Sequence, residues 1–137
     1  MKQIKDLKDK LPLNMRFIID EFEDGIYLVG VYENGIAPHL KKSLRNPTQE
    51  QKEQLQIDCL TEYFKYYLKQ KLKKVINRKQ FLEDLAVKLK VELSSIEWYF
   101  RKRMPTEHIN YVNSLLDEQI KIDKKTREYV AKAWEKL

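Results

Sequence analysis

The side chains best equipped for chemistry in this sequence are cations set in two dense groups. Lys69, Lys71, Lys73, Lys74, Arg78 and Lys79 crowd one stretch, and Arg101, Lys102 and Arg103 crowd another. Between them runs most of QFLEDLAVKLKVELSSIEWYFRKRMP, residues 80–105. The chemistry on offer is recognition without bond making. Each Lys or Arg that neutralises a phosphate releases a counterion, so binding to a polyanion falls steeply as salt rises. The same cations also suit solvated helix C-termini, where the backbone dipole favours positive charge.

Covalent chemistry has little to work with. His39 and His108 are the two histidines and Cys59 the single cysteine, and no close His or Cys pair has the spacing of a zinc site or a Cys-His couple. Cys59 falls on the apolar stripe of an expected helix, so it reads as a small buried hydrophobe and fits a reducing compartment. His39, next to Pro38, reads as a loop residue. Asp20, Glu21, Glu23 and Asp24 have the chemistry to hold a hard cation, but they fall in an expected hairpin and read as its solvated edge. The three glycines, at 25, 30 and 35, lack the spacing of a phosphate-cradling loop and read as backbone punctuation. The sequence predicts no enzyme, no metal and no cofactor.

Length and charge bound the remaining classes. A chain of 137 residues can bury a core without disulfides or a structural metal. Its net charge of +6 and pI near 9.2 favour polyanionic partners, although 21 acidic residues dilute the signal. Residues 1–76 hold 14 Lys and Arg against 11 Asp and Glu, and residues 77–137 hold 13 against 10, so each half nets +3. No apolar run approaches the about 20 residues needed to span a bilayer. The opening MKQIKDLKDKLPLN alternates charge instead of presenting a signal peptide's apolar stretch. A cytoplasmic protein with no membrane partner is expected.

The elements that must carry the cations follow from periodicity. Residues 16–40, RFIIDEFEDGIYLVGVYENGIAPHL, combine β-branched and aromatic residues with the turn signals Asp24-Gly25 and Asn34-Gly35. A hairpin or three-stranded meander is expected across a region spanning residues 1–47. It needs a helix to cover its apolar face. Residues 48–76 supply one: Leu55, Cys59, Leu60, Tyr63, Phe64, Tyr67, Leu68, Leu72, Val75 and Ile76 recur at a period near 3.6, behind Asn46-Pro47-Thr48 as a helix start. Only Tyr66 among the clustered aromatics leaves that stripe. Residues 77–137 then form a helical unit. Leu82, Leu85, Ala86 and Leu89 mark one helix, Val91 a corner, and Ile96, Tyr99 and Phe100 a second helix. Ser94 and Glu97 have the spacing of a capping box. Pro105 suits the start of a further helix bearing Ile109, Val112, Leu115 and Leu116, and Asp123 the cap of a last one bearing Tyr129, Val130, Ala133 and Trp134, the tryptophan pinning it to the core. The fold class expected is α+β, mostly α, with the meander packed on a long helix ahead of a C-terminal helix-turn-helix unit.

Leu85, Ala86, Leu89, Val91 and Ile96 resemble, in type and spacing, the helix-turn-helix of Cro and cI type (lambda-repressor-like) phage proteins, and Trp98 to Pro105 resembles their aromatic and basic continuation. The resemblance covers residues 78–123. It departs at Lys90, where those proteins usually carry a glycine suited to a left-handed corner, and at Glu92 and Glu97, which fall where DNA-facing residues lie. It implies a small sequence-specific regulator of double-stranded DNA, of phage or mobile-element type, with a recognition helix near residues 93–103. Leu93, Ser94, Glu97, Trp98 and Arg101 would then face the major groove, while Arg78, Lys79, Lys102 and Arg103 hold phosphates. A homodimer through the long helix would match paired half-sites. The acidic recognition helix keeps a second class open: an anti-CRISPR-like inhibitor that binds a host defence protein, with the helix-turn-helix as scaffold.

Overall fold

The structure, a computed structural model, describes residues 2–136. It is α+β, a three-stranded antiparallel sheet followed by helices. The order is α1 (Lys2–Asp9), β1 (Met15–Glu21), β2 (Ile26–Glu33), β3 (Ala37–Arg45), α2 (Gln49–Leu72), α3 (Arg78–Leu89), α4 (Leu93–Arg101) and α5 (Thr106–Glu135). The chain gathers into two compact units whose boundary in sequence falls between Phe64 and Lys65, inside α2.

In the first unit the sheet is a meander in the order β1-β2-β3. Asn34 and Gly35 both take positive φ, 54° and 75°, and the Ile36 N–H donates to the Glu33 carbonyl at 3.1 Å. This is the mirror-image turn whose twist matches that of the strands it joins. At the other turn Gly25 takes a φ of 90°, and the Asp24 carboxylate accepts from the Ile26 N–H at 3.3 Å. Gly30 is no turn residue: it lies inside β2, where an added Cβ would sit 2.7 Å from the Tyr32 ring. The third strand continues to Arg45 and takes in Pro38 and His39. Pro38 is tolerated because β3 is an edge strand with an irregular register opposite Val31 and Tyr32. His39 is therefore a strand residue, its ring edge-on to Tyr63 at 5.8 Å.

Alternation along β2 buries Tyr27, Val29 and Val31, and α2 contributes Ile57, Cys59, Leu60, Tyr63 and Phe64 to the same core. Polar ties fix the helix to the sheet at three levels. Lys52 pairs with Glu21 at 3.0 Å, Gln56 donates to the Tyr27 hydroxyl at 2.9 Å, and Lys42 pairs with Glu62 at 2.7 Å. The helix opens with a reciprocal cap in which Thr48 Oγ1 accepts from the Gln51 N–H while Gln51 Oε1 accepts from the Thr48 N–H. The alternating charges at the start of the chain conceal helix α1. Ile4 and Leu7 are its buried face, and Lys8 lies 6.0 Å over the Phe17 ring.

In the second unit Leu68, Val75, Phe81, Leu85, Ile96, Met104, Ile109, Val112 and Leu116 form the core. Two sequence expectations fail here for one reason. Helix α2 stops at Leu72 rather than reaching Ile76, and Asp123 is not a helix cap but lies buried in the middle of the continuous α5. The last turn of α2 tightens, with Lys74 donating to Lys71 and Val75 to Leu72. That frees the Ile76 N–H, which donates to Asp123 Oδ2 at 2.9 Å; Gln119 occupies Oδ1 at 2.9 Å. Lys71 adds a second tie to α5, reaching Asn113 at 2.7 Å and Asp117 at 2.6 Å. Burial works to lower the Lys71 pKa, but bonds to Asp117 and Tyr67 outweigh it and hold the ammonium above its ordinary value. Its contribution to stability is thus complete below the ordinary lysine pKa and lost as pH rises through the higher folded one. The expectation for Trp134 fails as well, since it is 71% exposed and pins nothing to the core.

Two substitutions probe these constraints. Asp123→Ala strands the Ile76 N–H and is expected to cost about 1–3 kcal/mol, read as a lower urea midpoint. Gly25→Ala is expected to cost more than about 1 kcal/mol, because its Cβ would fall 2.0 Å from Asn46 Oδ1 at a φ that disfavours any side chain.

Candidate nucleic-acid interface

The corner between α3 and α4 sets the geometry of the candidate interface. Helix α3 begins at Asn77, whose side chain accepts from the Gln80 N–H at 3.1 Å. It ends at Lys90, which adopts the left-handed conformation, φ 58° and ψ 43°. The Val91 N–H then donates back to the Ala86 carbonyl at 3.0 Å and closes the helix end. Ala86, Leu85, Ile96 and Phe100 are buried, so the two helices meet on small and branched residues. The chain re-enters helix at Leu93 from an extended Glu92, whose side chain makes no cap. Ser94 and Glu97 both lie within α4 and do not form the anticipated capping box.

Burial of Ile96 and Phe100 decides which side of α4 is open. Ser94, Glu97, Trp98 and Arg101 are exposed and recur at three- and four-residue spacing, one face of the helix; Leu93 is half-buried at its start. Trp98 is 46% exposed, with its ring 6.2 Å from that of Tyr99. Helix α4 ends at Arg101, so Lys102 and Arg103 belong to the segment beyond it, with the Lys102 N–H closing onto the Trp98 carbonyl at 2.7 Å. The recognition segment expected over 93–103 is therefore helical only to 101. Arg78 and Lys79 occupy the first turn of α3 and are exposed. Cations there oppose the helix dipole, so helix stability does not account for them.

Among the described residues, Arg78, Lys79, Arg101, Lys102 and Arg103 form no ion pair; the pairs present involve Lys42, Lys52 and Lys71. Exposed Lys88 and Lys90 add two cations at the corner, outside the set that the sequence suggests for the interface. Their signal is their position at the end of α3, visible only once the corner is placed. The division at Phe64 also redistributes the charge. The unit ending there carries 9 Lys and Arg against 11 Asp and Glu, and the unit from Lys65 carries 18 against 10. The even split at residue 76 hides one basic helical unit and one slightly acidic unit.

The groups that bear on catalysis are placed as follows. Cys59 is fully buried, and burial pushes its thiol up to about 11, Lys42 opposing and Glu62 adding to the shift. Asp20, Glu21, Glu23 and Asp24 are exposed. No cluster of three or more His, Cys, Asp or Glu among the described residues is arranged to hold a metal ion. No helix among them is long and apolar enough to cross a membrane. The apolar stripe of α2 is buried at Leu60, Tyr63, Phe64 and Leu68, while Tyr66, which leaves the stripe, is exposed. Comparison with protein-family models, with curated proteins and with solved structures found no match for this chain.

The corner yields a stability test. A side chain in the left-handed region costs about 1–2 kcal/mol, part of which a glycine gives back in unfolded-chain entropy. Lys90→Gly is therefore expected to raise the urea midpoint by the equivalent of about 0.5–1 kcal/mol, and an unchanged or lower midpoint would remove the strain argument.

Proposed function

We propose that this chain is a small sequence-specific DNA-binding regulator of phage or mobile-element type. The observation that supports the reading most is the open face of α4 lying next to uncommitted cations in a unit with 18 basic against 10 acidic residues. A helix of this width fits the major groove, and the side chains on its open face have distinct readouts. The Ser94 hydroxyl suits either a donor or an acceptor on a base edge. Glu97 accepts from a cytosine amine, Trp98 packs on a thymine methyl, and Arg101 bonds guanine or a phosphate. Arg78, Lys79, Lys102 and Arg103 act on the backbone and carry affinity without sequence information. Glu97 thus selects: its carboxylate repels phosphate unless a cytosine lies opposite.

Selection of the purified protein on a random duplex pool, at low and at physiological salt, tests the reading. An enriched motif that survives physiological salt is expected, and a palindromic one would identify two copies on paired half-sites. The double variant Arg101→Ala with Arg103→Ala is expected to weaken binding at every sequence and to flatten the salt dependence by about 0.9 in log-log slope for each phosphate no longer neutralised. Glu97→Gln is expected to change the motif while leaving salt dependence unchanged. Weak, wholly salt-sensitive binding with no motif would overturn the reading. The acidic Glu92 and Glu97 would then favour the inhibitor class, in which a host protein is the partner.

A further inference from the structure

Helices α3 and α5 enclose a cleft of about 160 Å³ away from the open face of α4. Its apolar lining comes from Phe81 and Leu85 on one helix and Leu115 and Ile122 on the other. Leu115 and Ile122 are seven residues apart, two turns along one face of α5. That face does not end with the cleft. At 100° per residue, Thr126, Tyr129 and Ala133 follow directly below Ile122, with Val130 and Trp134 beside them. All are exposed, including Tyr129 at 77% and Trp134 at 71%. Two bare aromatic rings and two branched aliphatics along one helix form a contiguous apolar surface of the kind that marks a binding site.

The charges beside this surface indicate what covers it. Lys121, Lys125, Lys132 and Lys136 run along one edge of the stripe, and Arg127 flanks Trp134 on the other. Glu128 and Glu135, the exposed acids of this stretch, lie beyond the lysine row and away from the stripe. A second copy packed antiparallel about a twofold axis would bring one lysine row against another. A flat membrane would leave the concave cleft unfilled. We propose that the cleft and the face continuing from it receive an amphipathic helix of another protein, apolar on one side and bearing carboxylates that meet the lysine row. Such a helix would seat its apolar residues on Phe81, Leu85 and Ile122 at one end and on Tyr129 and Trp134 at the other. The surface is separate from the open face of α4, so the inference does not rest on the DNA reading.

Two labelled synthetic helices serve as probes, each about 18 residues or roughly 27 Å long, with the same leucine face but glutamate flanks in one and lysine flanks in the other. Binding to the full chain is read by anisotropy. If each lysine of the row adds the few tenths of a kcal/mol of an exposed pair, the glutamate helix binds about tenfold tighter than the lysine helix. Tyr129→Ser with Trp134→Ser abolishes binding of both, and Lys125→Glu with Lys132→Glu inverts the preference; circular dichroism checks that each variant is folded. Equal affinity for the two helices, or none for either, would overturn the proposal. So would a concentration-dependent dimer in sedimentation, or attachment to mixed phosphatidylcholine and phosphatidylserine vesicles, if Tyr129→Ser with Trp134→Ser abolished it.

Discussion

A carboxylate enclosed in the middle of the longest helix holds the second unit in register. Asp123 is one of two buried polar side chains among the described residues, and both of its oxygens are taken, one by the backbone of Ile76 and one by Gln119. The Ile76 bond does something no apolar contact can. It satisfies a backbone donor released where α2 ends, and so fixes where the chain turns into α3. An error of one residue at that point would rotate α3 by about 100° and carry Phe81, Leu85 and Ala86 out of the core. Lys71, reaching Asn113 and Asp117 on the preceding turns of α5, guards the same junction from the other side.

Downstream of that junction the unit is arranged by subtraction. Ile96 and Phe100 are drawn inward, so the residues between them have nowhere to go but outward, and α4 acquires an open polar and aromatic side without a dedicated device. The left-handed Lys90 accomplishes the change of direction at a strain that a glycine would avoid. The basic character of the unit is likewise no general property of the protein, since the sheet-bearing unit is on balance acidic.

Much of this was legible in the residues. The two Gly-containing turns, the stripe of α2 and the α3–α4 pair all obey local rules: a positive φ, a 3.6 period, a small residue at a crossing. What was illegible depended on partners distant in sequence. Asp123 has the composition of a cap, and only Ile76, 47 residues earlier, shows that it serves another element. Ser94 and Glu97 match a capping pattern, yet the cap position falls two residues earlier, at Glu92. Trp134 has the chemistry of a core anchor, but α5 carries it past anything it could pack against. At the candidate interface the misjudged feature was a boundary, since α4 ends at Arg101 and not at residue 103. Whether cations past Arg101 sit on a helix or a loop is decided by Met104, buried at 1%, which pulls the chain away.

Cys59 gives the molecule a chemical handle of its own. It is the sole thiol, it lies in the sheet-bearing unit, and burial leaves it almost entirely protonated at neutral pH. A thiol reagent can therefore modify the chain only during excursions in which that core opens, and the second unit contributes nothing to the signal. The opening equilibrium of one half can be followed in the intact protein without a probe having been introduced, while the other half stays silent.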